Sequence, residues 1–333
     1  MARALRIWVA LALLAGGALF VALFAGSVPI APLDVAAVLV QPDGSTASAV
    51  VHRLRLPRAL AAFATGGLLA VAGAVMQVLL RNPLADPYVL GLSGGAAVGA
   101  LAAMLAGVAG VFVGAGAFGG ALVSMALVFA LARRDLAGQP LAADADTSSR
   151  LLLTGVVLAA GWSALITLML TIAPERELRG ILFWLMGDLA AASTSAPALV
   201  ALAVALVVLV PAGRALNVML RGPALAHSLG VPVAGMRRML FAVASIATAV
   251  AVTTAGTIGF VGLLVPHALR LAFGNDQRML LPASALAGGA LLVLADTLAR
   301  TVIAPQQLPV GAVTAVIGVP VFVALLLRGG ERR

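Results

Sequence analysis

The segment VHRLRLPRALAAF, residues 51–63, places three arginines and a histidine immediately before an apolar run. A guanidinium group stays charged and can hold both oxygens of one carboxylate or phosphate. Arg53, Arg55 and Arg58 therefore form a candidate anion-binding cluster, and His52 beside them is a candidate contact for a substrate or partner. Which anion these side chains meet depends on whether the apolar run crosses a membrane.

The composition is that of a membrane protein. The chain is 62% hydrophobic and 10% charged, with a mean hydropathy of +1.14, whereas soluble domains are about 45–50% apolar and about 25% charged. Its apolar runs do not alternate with polar residues, as the strands of an outer-membrane barrel would. We therefore predict an all-α, polytopic membrane protein that forms one transmembrane domain over residues 1–333.

The residue types that are missing exclude several kinds of site. The chain has no lysine, so it cannot carry the GxxxxGK[ST] phosphate loop of an ATPase. It has no cysteine, which excludes disulfides, thiol catalysis and cysteine-based metal sites. We predict no metal site and no cofactor bound by this chain.

Polar breaks divide the apolar sequence into about ten predicted transmembrane helices. They lie near residues 7–27, 56–80, 88–107, 109–132, 151–173, 196–212, 239–257, 258–273, 281–301 and 310–328. The first run is longer than the core of a signal peptide, so we interpret it as a helix, with cleavage as the alternative.

The positions of the arginines predict the orientation. With both termini in the cytoplasm, fifteen of the 21 arginines lie at or near cytoplasmic helix ends, and six lie outside. This distribution satisfies the positive-inside rule. The net charge of +9 accordingly reflects topology, and we predict no nucleic-acid partner. The cluster at 53–58 faces outward, against the rule.

Two polar segments stand out between the predicted helices. In RNPLADPYVLGLSGGAAVGA, residues 81–100, Pro83, Pro87 and several glycines indicate irregular backbone, either a plain loop or a bend that lines a pathway. In the cytoplasmic loop 213–238, PALAHSL predicts a helix of about two turns with Leu225 and Leu229 on one face. Spacing alone favours a docking helix and a simple connector equally.

Eight motifs between about residues 50 and 328 resemble, in the same order, those of type II ABC importer permeases, which serve ferric siderophores, haem and vitamin B12. They are RLPRALAAF, GAVMQVLLRNPLADPYVLGLSGGAA, TSSRLLLTG, FWLMGDL, LNVMLRGPALAHSLG, GTIGFVGLLVPHALR, LADTLAR and LPVGAVTAVIGVPVF. The resemblance implies ten helices, a homodimer with a central path, two separate ATPase subunits that bind ATP and Mg, and a periplasmic binding protein. It also implies residence in the bacterial inner membrane.

The resemblance assigns roles to residues of this chain. It implies that Arg55, Arg58 and Arg300 receive carboxylates of the binding protein, and Asp296 lies four residues before Arg300, where the two can pair. The cytoplasmic gate is implied at Asn82 and Leu84 and, in the turn before the fifth helix, at Ser148 and Ser149. The ATPase contact is implied at Arg221, Gly222, Pro223, Leu225, His227, Leu229 and Gly230. Relatives often have two glutamates where this chain has Pro223 and Ala224, which leaves the charge pattern of that contact open.

Three further residues are candidate substrate contacts. Arg176 and Arg179, in APERELRG, can attract carboxylates of an anionic cargo, although Glu175 and Glu177 can instead neutralise them. Asp188, where relatives often have a small neutral residue, can touch the substrate or cap a helix end.

The sequence therefore predicts the permease subunit of an ATP-driven importer that works by alternating access and performs no covalent chemistry. An ion-coupled secondary transporter is the alternative, although the predicted mid-spans carry almost no ionisable groups. An intramembrane enzyme is disfavoured, because no nucleophile–base pair, HExxH motif or aspartate pair is present. Vitamin B12 is the preferred cargo over haem or a siderophore.

Overall fold

The computed structural model describes residues 2–108, 110–133, 144–190, 192 and 194–330, and these residues form helices joined by turns. The helices are α1 (Ala2–Phe24), α2 (Pro32–Val40), α3 (Thr46–Val50), α4 (Leu56–Leu79), α5 (Leu92–Leu105), α6 (Val111–Leu131), α7 (Asp144–Ile172), α8 (Glu175–Leu185), α9 (Ala196–Met219), α10 (Pro223–Ser228), α11 (Val233–Ala255), α12 (Val261–Phe273), α13 (Gln277–Thr301) and α14 (Val310–Gly330). A π-helical turn, Val51–Arg55, joins α3 to α4, and a 3₁₀ turn, Pro87–Leu90, precedes α5.

Ten of these helices match the ten predicted runs. Within the described residues, seven stretches are long and apolar enough to span a membrane, and α5, α12 and the 310–325 part of α14 are shorter apolar helices. The predicted breaks near Gly107 and Gly256 are confirmed, because α5 ends at Leu105 and α11 ends at Ala255. The prediction of about ten transmembrane helices is therefore confirmed.

Helix α4 is the centre of the bundle. Nearly all of its side chains are buried, because α9, α11, α12 and α13 surround it. Its sequence, from Leu56 to Leu79, is apolar on every side, as expected of a helix with no solvent-facing stripe. Helices α6 and α7, by contrast, keep large apolar side chains exposed, which a bilayer would cover.

Glycines bring several helix pairs into backbone contact. A Cβ atom at Gly99 of α5 would lie 2.0 Å from the carbonyl oxygen of Gly116 of α6, and one at Gly120 would lie 2.1 Å from that of Gly95. Neither glycine can be replaced without separating the two helices. This is how bundles gain dispersion energy where lipid removes the hydrophobic driving force.

The structure moves the predicted end of the sixth helical run and adds three helices. Helix α9 runs through Pro211 to Met219, so the predicted loop 213–238 is reduced to residues 220–232. Membrane bundles tolerate an internal proline when neighbours satisfy the freed backbone groups, and Gly213 lets α9 approach Arg278, whose Cγ would lie 2.9 Å from an added Cβ. Helices α2, α3 and α8 were not predicted, because they are short and lie outside the apolar runs.

Candidate functional site

The cluster that opened the sequence analysis lies at one end of the bundle, which we call the arginine end. Arg53 and Arg55 belong to the π-helical turn, and Arg58 is in the first turn of α4. His52 holds this turn against α2 through a contact of 3.0 Å between its Nε2 and the Val38 carbonyl oxygen. Such wide turns often mark functional positions.

Arg55 binds the end of helix α1. Its Nη1 donates to the carbonyl oxygens of Leu23 (2.7 Å) and Phe24 (3.1 Å), and its Nη2 donates to that of Val28 (2.5 Å). The last carbonyls of a helix have no partner within the helix, and a cation there also complements the helix dipole. Only 4% of Arg55 is exposed, so its charge serves the fold directly.

Arg58, Asp296 and Arg300 form a triad. Arg58 donates from Nε and Nη2 to the Asp296 carboxylate at 2.8–3.1 Å and from Nη1 to Gln307 Oε1 at 2.9 Å. Arg300 Nε lies 3.6 Å from Asp296 Oδ2, as its position four residues along α13 predicted, and its Nη2 donates to the Ala22 carbonyl oxygen. One carboxylate thus serves two arginines.

These arginines line a cavity of about 280 Å³ at the arginine end. Its wall includes Arg53, Arg55, Arg58 and Arg300, together with Gln307 and the apolar side chains of Val28, Val50 and Leu54. Only Arg53 among the four arginines is exposed. With four guanidinium groups and one nearby carboxylate, the cavity is suited to an incoming carboxylate.

The predicted bend at 81–100 has irregular backbone and a 3₁₀ turn up to Gly91 and is helical from Leu92, where α5 begins. Asn82 Oδ1 accepts from the backbone N–H of Leu84 (2.9 Å), and Leu84 itself is exposed. Asp86 caps the 3₁₀ turn by accepting from the N–H of Tyr88 (2.8 Å). The side chain of Pro87 packs on Gly262 of α12, and Gly262 also meets Gly73 of α4, so the segment turns back into the bundle.

Ser148 and Ser149 lie within helix α7, not in a turn before it. The predicted helix start at 151 was too late, because α7 begins at Asp144.

The predicted short helix is present as α10 and presents an apolar face. Gly222 (φ 119°) and Gly230 (φ 78°) flank it with backbone angles that favour glycine. Pro223 and Ala226 face inward, whereas Leu225 is 47% exposed and Leu229 is 63% exposed. Arg221 and His227 are also exposed. The helix packs on α9 and α11 and leaves one face uncovered.

The candidate substrate contacts lie on and after α8. Arg176 is 85% exposed with Glu177 at 3.6 Å, and Arg179 lies over the ring of Phe183 at 5.7 Å from its centroid. Asp188 Oδ1 accepts from the N–H of Ala190 (2.7 Å), so its carboxylate caps the turn after α8. The structure does not bring these three residues to the arginine cavity.

The sequence analysis did not identify two residues that make hydrogen bonds between helices in the structure. Gln307, in the turn before α14, accepts a hydrogen bond from Arg58, and no motif pointed to it. Asn217, near the end of α9, bonds to Asp276 and Gln277 at the start of α13. Its position in the motif LNVMLRG was the available signal, but its partners are about sixty residues away along the chain.

Comparisons with known proteins agree with this architecture. The sequence profile of the FecCD transport family matches residues 12–328. The chain is 45% identical over 284 residues to the cobalamin import system permease protein BtuC of Halobacterium salinarum, covering 84% of this chain and 74% of that protein. It is 41% identical over 285 residues to the vitamin B12 import system permease protein BtuC of Escherichia coli O6:H1, covering 84% of each.

A solved structure resembles the whole chain. It is an inward-facing conformation of a metal-chelate type ABC transporter, which superposes with a TM-score of 0.84 at 29% identity and covers 97% of this chain and 99% of that one. The profile match and the identities to its relatives both extend over most of the chain. The chain therefore belongs to the FecCD transport family of ABC importer permeases.

Proposed function

We propose that the protein is the permease subunit that carries vitamin B12, or a closely related corrinoid, from the periplasm to the cytoplasm of a bacterium. Two cobalamin permeases at 45% and 41% identity support this cargo over haem or a ferric siderophore. ATP and Mg would bind two separate ATPase subunits, because this chain lacks a phosphate loop. The chain itself would perform no covalent chemistry.

Two unlike surfaces at opposite ends of the bundle carry this proposal. The arginine end has a cationic cavity, and the other end has α10 with Leu225 and Leu229 uncovered. We assign the arginine end to the periplasm and the α10 end to the cytoplasm, with both termini cytoplasmic, since the arginine count favours this orientation. A carboxylate of the binding protein would enter the cavity, and an apolar groove on the ATPase would receive α10.

The translocation path would lie between two copies of this chain. Apolar side chains along α7 and α14, such as Leu153 and Val316, are exposed and need either lipid or a second copy to cover them. Asn82 and Leu84, together with Ser148 and Ser149, would form the cytoplasmic gate. Alternating access then requires that closure of the ATPase dimer, transmitted through α10, opens and closes the path at its two ends. The path should bind its cargo weakly, so that the cargo leaves.

Uptake into proteoliposomes tests this function. The vesicles contain the permease with its ATPase, receive the binding protein outside, and enclose ATP or a non-hydrolysable analogue. We expect uptake of cyanocobalamin that requires both ATP and the binding protein, with haem and ferric siderophores as competing cargoes. Uptake of haem or a siderophore instead of cyanocobalamin would contradict the proposed cargo. Uptake at the same rate with and without ATP would favour an ion-coupled secondary transporter.

A further inference from the structure

Helix α13 reaches both of the surfaces described above. Near its C-terminal end are Asp296 and Arg300, which hold the arginine cavity together. Its N-terminal end meets α9 close to α10. The helix contains 25 residues, so it extends about 37 Å at 1.5 Å per residue. A single element therefore connects the cavity to the base of α10.

The connection at the α10 end is made by Asn217. Its Nδ2 donates to Asp276 Oδ1 (2.8 Å), and its Oδ1 accepts from the backbone N–H of Gln277 (2.8 Å). Asp276 is the N-cap of α13 and also accepts from the N–H of Arg278 (3.1 Å). The Asn217 amide thus uses its donor and its acceptor together on the first residues of α13. We call this pair of hydrogen bonds the Asn217 latch.

The chain between the latch and α10 is tightly folded. The backbone N–H of Arg221 donates to the Val218 carbonyl (2.9 Å), that of Gly222 donates to Met219 (3.1 Å), and that of Ala226 donates to Gly222 (3.0 Å). A displacement of α10 must therefore be taken up by the last turn of α9, where Asn217 lies. Gly213, one turn earlier, lies against Arg278 of α13 and tightens the same junction.

The body of α13 is built to move as a unit. Most of its side chains are buried, and Gly288 meets the backbone of Gly66 in α4. Helix α1 is attached to it at both ends: Trp8 Nε1 donates to the Met279 carbonyl (3.1 Å), and Arg300 donates to that of Ala22. Close-packed helices shift between discrete arrangements more readily than they deform.

We propose that α13 transmits the state of the arginine cavity to α10, and that Asn217 is the positioning residue that joins the two. Docking at the cavity would displace Asp296 and Arg300, and the latch would pass that displacement to the ATPase contact. This inference rests on the proposed function. It names α13 as a coupling element, and Asn217 of α9 as the residue that joins it to α10, roles that neither the motifs nor the relatives' names assign.

The chemistry of the latch suggests a reversal test. Hydrogen bonds from Arg278 hold the pKa of Asp276 below its ordinary value, so Asp276 is an ionised acceptor at neutral pH. N217A removes both hydrogen bonds, and N217D places a second carboxylate against that of Asp276. The double variant N217D/D276N puts an amide opposite a carboxylate again, with donor and acceptor exchanged. R278M is the matched control, because it breaks the Arg278–Asp276 ion pair, keeps the Cγ atom that Gly213 packs against, and leaves both Asn217 bonds.

The experiment uses the complete importer in nanodiscs and measures ATP hydrolysis with and without the binding protein. We expect N217A and N217D to keep the basal rate of ATP hydrolysis and the affinity for the binding protein. The stimulation of hydrolysis by the binding protein should fall at least about fivefold, which is the low end of allosteric coupling. N217D/D276N should recover most of it, and R278M should match wild type. Full stimulation in N217A, or no recovery in the double variant, would overturn the inference.

Two further outcomes separate the latch from a purely structural role and from the function itself. If N217A no longer co-purified with the ATPase, Asn217 would only shape the contact, and the inference would be wrong. If wild type took up cyanocobalamin with ATP but showed no stimulation of hydrolysis by the binding protein, the inference would be overturned while the importer function stood. A separate binding measurement uses a non-hydrolysable ATP analogue, which should change the affinity for the binding protein more in wild type than in N217A, because coupling between two binding equilibria is reciprocal.

Discussion

At the residue scale, the arginines of the cavity differ in how exposed they are to solvent: Arg53 is exposed, and the other three are buried or half-buried. Arg55 and Arg300 are 4% and 5% exposed and bond to carbonyls at the end of α1, and Arg58 is paired with Asp296. A buried guanidinium that loses its partners costs several kcal/mol. Reversing the charge of these three would place carboxylates against Asp296 and carbonyl oxygens, so the variant would report on folding before it reported on docking.

Arg53 therefore provides the cleaner test of docking. It lines the cavity and is exposed, so R53E changes the charge met by an approaching protein with little effect on packing. We expect the association rate with the binding protein to fall by about tenfold at low salt, because exposed charges steer encounter. Surface plasmon resonance on nanodiscs measures it. The control is R176E, which makes the same reversal of charge at a side chain that is 85% exposed and lies outside the cavity. Equal rates for R53E and wild type would contradict the assignment of the cavity to docking.

At the element scale, glycine positions decide which helices can touch. The α5–α6 pair depends on Gly95, Gly99, Gly116 and Gly120, where the backbones meet directly. Gly119, on the same helix α6, has open space where its Cβ would be. The two kinds of glycine cannot be distinguished by composition, but the structure separates them.

This difference predicts unequal effects for one substitution. G99A adds a methyl group 2.0 Å from the Gly116 carbonyl oxygen, so the helices must separate, at a cost of about 1–3 kcal/mol. G119A adds the same methyl group to open space and should be neutral or slightly stabilising, because alanine favours helix. Thermal unfolding in detergent compares them. A melting temperature for G99A at or above that of G119A would show that α5 and α6 do not pack this closely.

Helix α10 gives a second prediction at this scale. Replacing Leu225 and Leu229 with aspartate puts two charges on the face proposed to enter the ATPase, where desolvating them is unfavourable. We expect L225D/L229D to lose the ATPase during co-purification. The control is L33D on α2, where Leu33 is 83% exposed at the arginine end. Equal recovery of the ATPase with wild type and L225D/L229D would remove α10 from the contact.

The sequence predicted the long helices better than the short ones, for a physical reason. Membrane spans follow from apolar length alone, which any window of sequence reveals. Helices α2 and α3 are held by contacts such as His52 with the Val38 carbonyl, and these exist only after folding. The motifs likewise pointed to Arg55 and Arg300, but the α1 carbonyls that bury them could not be predicted. The end of α9 was predicted seven residues too early, at 212 instead of Met219, because the apolar run breaks at Gly213 and Arg214.

At the scale of the whole molecule, orientation decides what each surface can meet. The assignment of the arginine end to the periplasm rests on fifteen arginines at one side and six at the other. Six is a large number for the outer side, and the structure accounts for three of them. Asp296 neutralises one of these three charges, and backbone carbonyls hold the guanidinium groups of Arg55 and Arg300, so each of the three arginines has a structural role inside the fold.

The absence of cysteine makes this orientation directly measurable. L33C, at the arginine end, and L229C, on the segment after α10, each introduce a unique thiol at an exposed position. With the permease expressed without its partners, a membrane-impermeant maleimide added to intact spheroplasts should label L33C and leave L229C unlabelled until the membrane is opened. Labelling of L229C in intact spheroplasts would invert the topology. The cavity and α10 lie at opposite ends of α13, so in that case the cavity would face the cytoplasm and α10 the periplasm. Neither the binding protein nor the ATPase could then reach its proposed surface, and the importer as proposed would be rejected.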